Sequence, residues 1–178
     1  MEINKIYNEN CLDTMARMPD NFIDLTVTSP PYDNLRDYKG YSFDFEAIAK
    51  ELFRVTKNGG VVVWNIGDST INGSETGSSF KQALYFIECG FNLHDTMIWF
   101  KPNAFNLGSN NCYVQSFEYM FILSKGKPKS LNLIYDKENK SKGHVFRQFS
   151  KDNNGRSVKS KSMSEIKGEG KRRNVWFI

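Results

Sequence analysis

The sequence is poor in the residues that build metal centres and disulfide frameworks. Its 178 residues include only three cysteines, Cys11, Cys89 and Cys112, and two histidines, and their spacings match no zinc site. The cysteines are odd in number and far apart, which predicts reduced thiols that mostly pack, and no bound metal. No G-x-G-x-x-G motif occurs, so the common dinucleotide-binding fingerprint is also missing.

Long apolar runs are missing as well. No stretch approaches the roughly 20 apolar residues of a membrane-spanning helix, and the chain does not open on a signal peptide. The sequence therefore predicts a cytoplasmic protein that is not associated with a membrane. Its apolar content of 39% and aromatic content of 14% are sufficient for one folded core.

The positive charge is concentrated in one part of the chain. The net charge is +4, but residues 137–173 hold 12 of the 24 Lys and Arg residues and only 4 of the 20 Asp and Glu residues. A basic segment on a body of opposite net charge favours a polyanionic partner such as nucleic acid. A solvated polar loop can have the same composition, so charge alone leaves both interpretations open.

The apolar pattern predicts helices that alternate with strands. Strands are expected at 23–27, 61–66, 96–100 and 117–124, and helices at 10–18, 45–53 and 80–87. A helix and a glycine turn between the first two strands predict a crossover, and therefore a mainly parallel sheet. The last two strands are joined without a helical pattern, so we expect them to pair as an antiparallel edge. A further short strand is expected at 3–7.

The most informative stretch is Thr28-Ser29-Pro30-Pro31-Tyr32, which follows the first of these strands. Two prolines cannot continue a central strand because they lack the N–H group that the ladder needs. The chain must therefore leave the sheet as a stiff loop, with oxygen acceptors beside an aromatic ring. Open α/β sheets bind ligands at this end of a strand. A simple Pro-Pro turn with a packing tyrosine is the alternative.

The context of this bend carries a resemblance. The segment from Ile6 to Met15, the run Met18-Pro19-Asp20-Asn21-Phe22-Ile23-Asp24-Leu25 and then Ser29-Pro30-Pro31-Tyr32 resemble, in order and spacing, the amino-group DNA methyltransferases. These enzymes methylate the exocyclic nitrogen of adenine or cytosine, commonly within restriction-modification systems. The resemblance implies a Rossmann-like α/β sheet, mainly parallel with an antiparallel edge strand and with helices on both faces. It also implies S-adenosylmethionine as cofactor and double-stranded DNA as partner.

The resemblance assigns roles to individual residues. The catalytic motif is Ser29, Pro30, Pro31 and Tyr32. Cofactor contacts fall on Asn10, Cys11 and Ser29, with Asn10 in place of the aspartate that is usual in the family. DNA contacts are expected at Asp33, Arg36, Lys39, Lys101, Arg147, Lys151 and Arg156. Residues 1–125 would form the catalytic half of the domain, and residues 126–178 a basic, partly flexible target-recognition segment.

The bend suits the chemistry of amine methylation. An exocyclic base amine is a weak nucleophile because its lone pair is delocalised into the ring. Acceptors at Ser29 and the Pro30 carbonyl can bind its N–H groups and localise the lone pair. Tyr32 would stack on the base after base flipping out of the duplex. Ser29, where adenine-specific members usually have Asp, favours cytosine N4 over adenine N6.

One family motif is absent. The glycine-rich cofactor motif of the form D-P-F-x-G-S-G-T would follow Trp176 in this motif order, and the sequence stops at Ile178. We therefore expect a truncated methyltransferase, a split half, or a chain that a second chain completes. The alternative from another class is a catalytically silent DNA-binding remnant. A nucleoid-associated location in the cytoplasm follows from either.

Overall fold

The computed structural model describes residues 2–32, 43–103 and 113–177, in which the chain forms two units. The larger unit comprises Met1–Leu131 and Asn174–Ile178, and the smaller unit is Asn132–Arg173. The described residues contain three α-helices, α1 (Cys11–Ala16), α2 (Phe45–Val55) and α3 (Ser78–Glu88). The strands are β1 (Ile23–Thr28), β2 (Thr56–Ile66), β3 (Thr70–Ile71), β4 (Ser74–Glu75), β5 (Asn92–Phe100), β6 (Phe117–Ser124), β7 (Tyr135–Glu138), β8 (Val145–Lys151), β9 (Ser157–Glu165), β10 (Glu169–Lys171) and β11 (Val175–Phe177). No helix among these is long and apolar enough to cross a membrane.

The larger unit is built on a five-stranded mixed sheet with the strand order β1-β2-β6-β5-β11. The pairs β1–β2 and β5–β11 are parallel, whereas β6 is antiparallel to both of its neighbours. The strands β1, β2, β5 and β11 are therefore parallel to one another, and β6 runs in the opposite direction. The expected α/β class, with a mainly parallel sheet, is confirmed, and so is the antiparallel pairing of β5 with β6.

The position of the antiparallel strand differs from the expectation. β6 lies between β2 and β5, in the middle of the sheet, and not at its edge. Its second neighbour, β2, is distant in sequence and pairs with it from Val61↔Ser124 to Ile66↔Tyr119. The apolar pattern of residues 96–124 predicts the pairing of β5 with β6, but it contains no information about the pairing of β6 with β2.

The three helices of the described residues cover one face of the sheet, whereas the sequence predicted helices on both faces. Met15 of α1, Leu52 of α2 and Phe86 of α3 belong to one buried cluster with residues of β2 and β6. Both crossovers, β1–α2–β2 and β2–α3–β5, advance in the same direction, and right-handed connections then place both helices on the same side. On the other side, Leu25 and Val27 of β1 are 58% and 69% exposed.

Two local expectations were also wrong. Residues 3–7 form no strand, and Ile6 is 94% exposed. The apolar positions of α3 predict a core face of Phe80, Ala83, Leu84 and Ile87. Ala83 is buried as expected, but Phe80, Leu84 and Ile87 are exposed, and Ser79, Gln82 and Phe86 are buried instead. The polar side chains are accommodated because each has a partner: Gln82 Oε1 accepts from Trp64 Nε1 at 2.9 Å, and the Ser79 hydroxyl donates to Asp68 Oδ2 at 2.5 Å.

The smaller unit consists of two antiparallel strand pairs, β7–β10 and β8–β9. Every residue of β8 is exposed, as are most of β9. This agrees with the scarcity of apolar residues in the segment, since such a composition buries little surface. The β8–β9 pair is thus a two-stranded ribbon that is accessible on both faces.

Candidate active site

The bend Ser29–Tyr32 leaves the sheet directly after β1, at the edge where the parallel strands end. Because β6 is antiparallel, its first residues lie at this same edge, next to the carboxyl ends of β2 and β5. Polar side chains from four separate segments therefore meet beside the bend. Ser29 is exposed, Pro30 is buried, and Tyr32 is half-buried.

A cavity of about 500 Å³ adjoins the bend on the helix-covered side of the sheet. Ser29, Pro30 and Pro31 line it together with Asn10 and Cys11, and most of its lining is apolar. The other lining residues are Tyr7, Glu9, Leu12, Thr14, Met15, Met18, Ile23, Thr26, Thr28, Phe43, Asp44, Ile48, Leu52, Val55 and Trp64. This volume is in the range of small-molecule and cofactor sites. All three residues predicted to contact the cofactor thus line one cavity.

The wall of this cavity is held in place by Arg54 of α2. Its guanidinium donates to the Met15 carbonyl at 2.7 Å and to the Met18 carbonyl at 2.8 Å, and it also pairs with Glu51 and Asp20. These bonds fix the end of α1 against α2. At its start, α1 is capped by Asn10, whose Oδ1 accepts from the Leu12 N–H at 2.9 Å. A cofactor contact of Asn10 would therefore have to share or replace that cap.

The side chain of Tyr32 is held by a polar network on the sheet face opposite to the helices. Its hydroxyl donates to Glu118 Oε2 at 2.8 Å, accepts from Asn65 Nδ2 at 3.0 Å, and lies 2.8 Å from Ser29 Oγ. Asn65 Nδ2 also donates to Glu118 Oε2 at 2.6 Å, and the Lys101 ammonium pairs with Glu118 Oε1. The network connects the ends of β1, β2 and β5 to the start of β6.

Charge and burial fix the ionisation states in this network. Burial acts to raise the pKa of Glu118, but hydrogen bonds from Lys101, Asn65 and Tyr32 outweigh it, so the pKa lies below its usual value. Burial, reinforced by the hydrogen bond to Glu118 and its charge, raises the pKa of Tyr32 to about 12. Near neutral pH, Glu118 is therefore a carboxylate and Tyr32 a neutral phenol.

The ring of Tyr32 lies against the backbone that follows β2. A Cβ atom placed on Gly67 would be 3.6 Å from two ring carbons of Tyr32, which is ordinary van der Waals contact. The ring is thus supported on one side by the sheet edge. This arrangement positions an aromatic side chain next to the hydroxyl of Ser29.

The expected DNA contacts fall in three places. Arg147, Lys151 and Arg156 are exposed in the smaller unit, and no carboxylate of the described chain forms a salt bridge with them. Lys101 is engaged by Glu118 and also lies 4.5 Å from the centre of the Trp99 ring. The remaining three, Asp33, Arg36 and Lys39, lie outside the described residues. Among those described, no cluster of His, Cys, Asp or Glu suited to a metal ion occurs.

Sequence reasoning missed two members of the site, Asn65 and Glu118. Asn65 is a polar residue in an otherwise apolar strand, and it is 9% exposed. This polar residue in an apolar strand could have been recognised from the sequence as a candidate site residue. Glu118 could not be recognised as easily, because it reaches the site only when β6 runs antiparallel through the middle of the sheet.

Comparison with known proteins gives one consistent result. A family model described as DNA methylase matches residues 23–178. The orphan methyltransferase M.BamHII of Bacillus amyloliquefaciens is 57% identical over 159 residues, which cover 88% of this chain and 59% of that protein. The type II methyltransferase M.SfiI of Streptomyces fimbriatus is 28% identical over 72% of this chain and 37% of its own length. The chain thus spans about three-fifths, or less, of these curated relatives.

Solved structures share the fold. The PvuII DNA methyltransferase, described as cytosine-N4-specific, superposes with a TM-score of 0.56 at 21% identity, covering 73% of this chain and 50% of that one. A DNA modification methylase of Thermus thermophilus, complexed with S-adenosyl-L-methionine, superposes with a TM-score of 0.52 at 24% identity, covering 69% and 55%. At these identities the likeness concerns the fold.

Proposed function

The chain belongs to the amino-group DNA methyltransferases, and on that premise we propose that it transfers a methyl group from S-adenosylmethionine to the N4 amine of a cytosine in duplex DNA. The observation that carries the proposal is the position of Ser29. Its hydroxyl is exposed at the carboxyl end of β1, beside a cavity of about 500 Å³ and next to the ring of Tyr32.

The residues of the cavity suit S-adenosylmethionine. Its lining is mostly apolar, and polar groups of Glu9, Asn10 and Ser29 lie among the lining residues. When bound, the cofactor supplies an activated methyl group on a sulfonium. The bend Ser29–Pro31 would then lie between the cofactor in this cavity and the target base stacked on Tyr32. On this proposal Asn10 and Cys11 bind the cofactor, and Ser29 lies where the methyl group and the amine meet.

The residues of the bend would make the target amine of the base more nucleophilic. Ser29 Oγ and the Pro30 carbonyl would accept hydrogen bonds from the two N–H groups of the target amine. That bends the nitrogen towards tetrahedral geometry and localises its lone pair on the methyl donor. The prolines keep the acceptors fixed, so little reorganisation is needed when the reaction occurs. Base flipping brings the cytosine to this position, and stacking on Tyr32 contributes about 1–3 kcal/mol.

Cytosine is preferred over adenine because of Ser29. Adenine-specific members of the family usually have an aspartate at this position, and a serine hydroxyl is the weaker acceptor. Two further segments also resemble the cytosine-specific branch of the family: Phe149 to Gly155, and the run Lys171-Arg172-Arg173-Asn174-Val175-Trp176. The proposal for the base therefore rests on sequence.

Duplex DNA would also contact the β8–β9 ribbon. Alternation along β8 places Arg147, Phe149 and Lys151 on one face, with Met163, Lys159 and Ser157 opposite them. The same face includes Glu165 opposite Val145, and the register of the pair shifts between Arg147 and Phe149. A two-stranded ribbon fits the major groove of B-DNA. One basic face with an exposed aromatic residue is suited to phosphates and base edges.

The test is methyl transfer from labelled S-adenosylmethionine to plasmid DNA, with the 178-residue chain and with a chain extended to the length of its relatives. We expect incorporation in at least the extended protein, and its loss in Ser29→Ala and Tyr32→Ala. Ser74→Ala is the matched control, since Ser74 is exposed on the short strand β4 and its hydroxyl donates to the Glu75 carbonyl there. No incorporation in either length would leave the DNA-binding remnant. Normal rates in both site variants would refute the assigned roles.

A further inference from the structure

The hydrogen atoms of the Tyr32 network can be assigned by counting donors. A phenol has one hydrogen to donate, whereas an ionised carboxylate only accepts. Glu118 is ionised, so the hydrogen of Tyr32 must point to Glu118 Oε2, 2.8 Å away. The Tyr32 oxygen is then left with acceptor capacity only. It accepts one hydrogen bond from Asn65 Nδ2 at 3.0 Å.

This fixes the direction of the bond between Ser29 and Tyr32. The two hydroxyl oxygens are 2.8 Å apart, and on distance alone either could be the donor. Because the hydrogen of Tyr32 is already used, Ser29 must donate. The Ser29 hydrogen therefore points towards Tyr32, and the lone pairs of Ser29 Oγ remain for another group. Ser29 is thus set as an acceptor before any substrate is present.

We propose that Glu118 is a positioning residue that acts through Tyr32, ordering the hydroxyl groups so that Ser29 presents lone pairs to the target amine. This inference rests on the proposed function and adds to it the residue that sets the polarity of Ser29. An amine N–H needs an acceptor, and a serine that directed its own hydrogen at the amine would oppose it. Glu118 is remote from the amine and influences it through two hydroxyl groups.

The structure keeps Glu118 in the state that this role needs. Its side chain is 15% exposed, and its second oxygen is paired with the Lys101 ammonium. Asn65, buried at 9% exposure, adds a hydrogen bond at 2.6 Å and therefore also favours the charged form. Lys101, which the sequence suggested as a DNA contact, has a specific task in this arrangement: it neutralises a carboxylate beside the active site.

A glutamine in place of Glu118 would remove the constraint. Its amide can donate as well as accept, so Tyr32 could turn its hydrogen to Ser29, and Ser29 could turn its own towards the amine. Tyr32→Phe removes the intermediate hydroxyl but keeps the ring. If stacking were the only contribution of Tyr32, Tyr32→Phe would be neutral. The two substitutions therefore separate hydrogen-bond ordering from stacking.

The experiment is a double-mutant cycle with the parent protein, Glu118→Gln, Tyr32→Phe and the double variant. Measured quantities are kcat for methyl transfer to plasmid DNA and the affinity for S-adenosylmethionine. We expect each single change to lower kcat by about tenfold or more while cofactor affinity stays the same. The double variant should be no slower than the slower single variant, since both changes break one chain.

Asp24→Asn is the matched control, because it removes an exposed carboxylate whose salt bridge with Lys57 lies at the opposite end of β1. It should leave kcat unchanged. Effects that multiply in the double variant, or normal turnover in Tyr32→Phe, would overturn the inference while leaving the methyltransferase proposal intact. A parent protein without any methyl transfer, even when extended to the length of its relatives, would instead overturn the proposed function, and this inference with it. Should Glu118→Gln fail to fold, Tyr32→Phe alone still decides.

Discussion

The clearest quantitative prediction concerns the charges of the β8–β9 ribbon. Arg147 and Lys151 lie on the same face of β8, are exposed, and form no salt bridge with a described carboxylate. We expect both to contact DNA phosphates. Changing both to glutamine keeps the strand and removes two positive charges, so the affinity for duplex DNA should fall and become less sensitive to salt.

The size of the effect follows from counterion release. Each phosphate contact adds about 0.9 to the slope of log affinity against log salt concentration, so the double variant should lose about 1.8 of that slope. Raising salt from about 50 to about 200 mM should then weaken the parent about twelvefold more than the variant. The assay is fluorescence anisotropy with a labelled duplex over a salt series.

The matched control is Lys57→Gln, because Lys57 is already paired with Asp24 at 2.6 Å in the larger unit. It should keep the slope of the parent protein. Identical slopes for the parent and the Arg147/Lys151 double variant would refute the reasoning, because they would mean that neither side chain releases counterions from DNA. If the DNA affinity of the parent protein did not depend on salt, the basic segment 137–173 would be a solvated surface that does not bind DNA.

Three further predictions concern stability and pH. Phe86→Ala should lower the free energy of unfolding by about 3–5 kcal/mol in urea titrations, because Phe86 is fully buried at the centre of the aromatic core; a change below about 1 kcal/mol would contradict that packing. Asp68→Ala should destabilise the protein by about 1–2 kcal/mol, because Asp68 replaces the missing side-chain cap at Gly77; Asp13→Ala, an exposed change, should not. The pKa of Glu118 is lower in the folded than in the unfolded state, so its contribution to stability is present above the unfolded value and is lost as pH falls through the folded one. Glu118→Gln should therefore flatten acid unfolding curves, and superimposable curves would argue against the charged network.

Local patterns were sufficient to predict the bend and the elements that carry it. β1, α2 and β6 follow from apolar periodicity. The sequence offers Asp44 or Ser42 as the cap of α2, and Asp44 does accept from the Ala47 N–H at 3.0 Å. Pro30 and Pro31 end a strand wherever it lies, so the position of the bend at the sheet edge required no long-range information. These features depend on residues that are adjacent in sequence.

Features that depend on distant residues were not predictable in this way. The buried face of α3 was predicted correctly at Ala83 but not at Phe80, Leu84 and Ile87. Gln82 and Ser79 are buried instead because they find partners on Trp64 and Asp68, which lie outside the helix. Glu118 enters the site only because β6 is inserted between β2 and β5. The one-sided coverage by helices likewise follows from the direction of two crossovers, which the apolar pattern does not encode.

The most direct test of the account is to identify the modified nucleoside. DNA incubated with the protein, extended to the length of its relatives, and labelled S-adenosylmethionine is digested and analysed by mass spectrometry. The account predicts N4-methyl-2′-deoxycytidine, and its absence when Ser29→Ala is used. A methyl group on a ring carbon, or the same N4-methyl product in undiminished yield without the Ser29 hydroxyl, would contradict the claim that acceptors at this bend activate an amine.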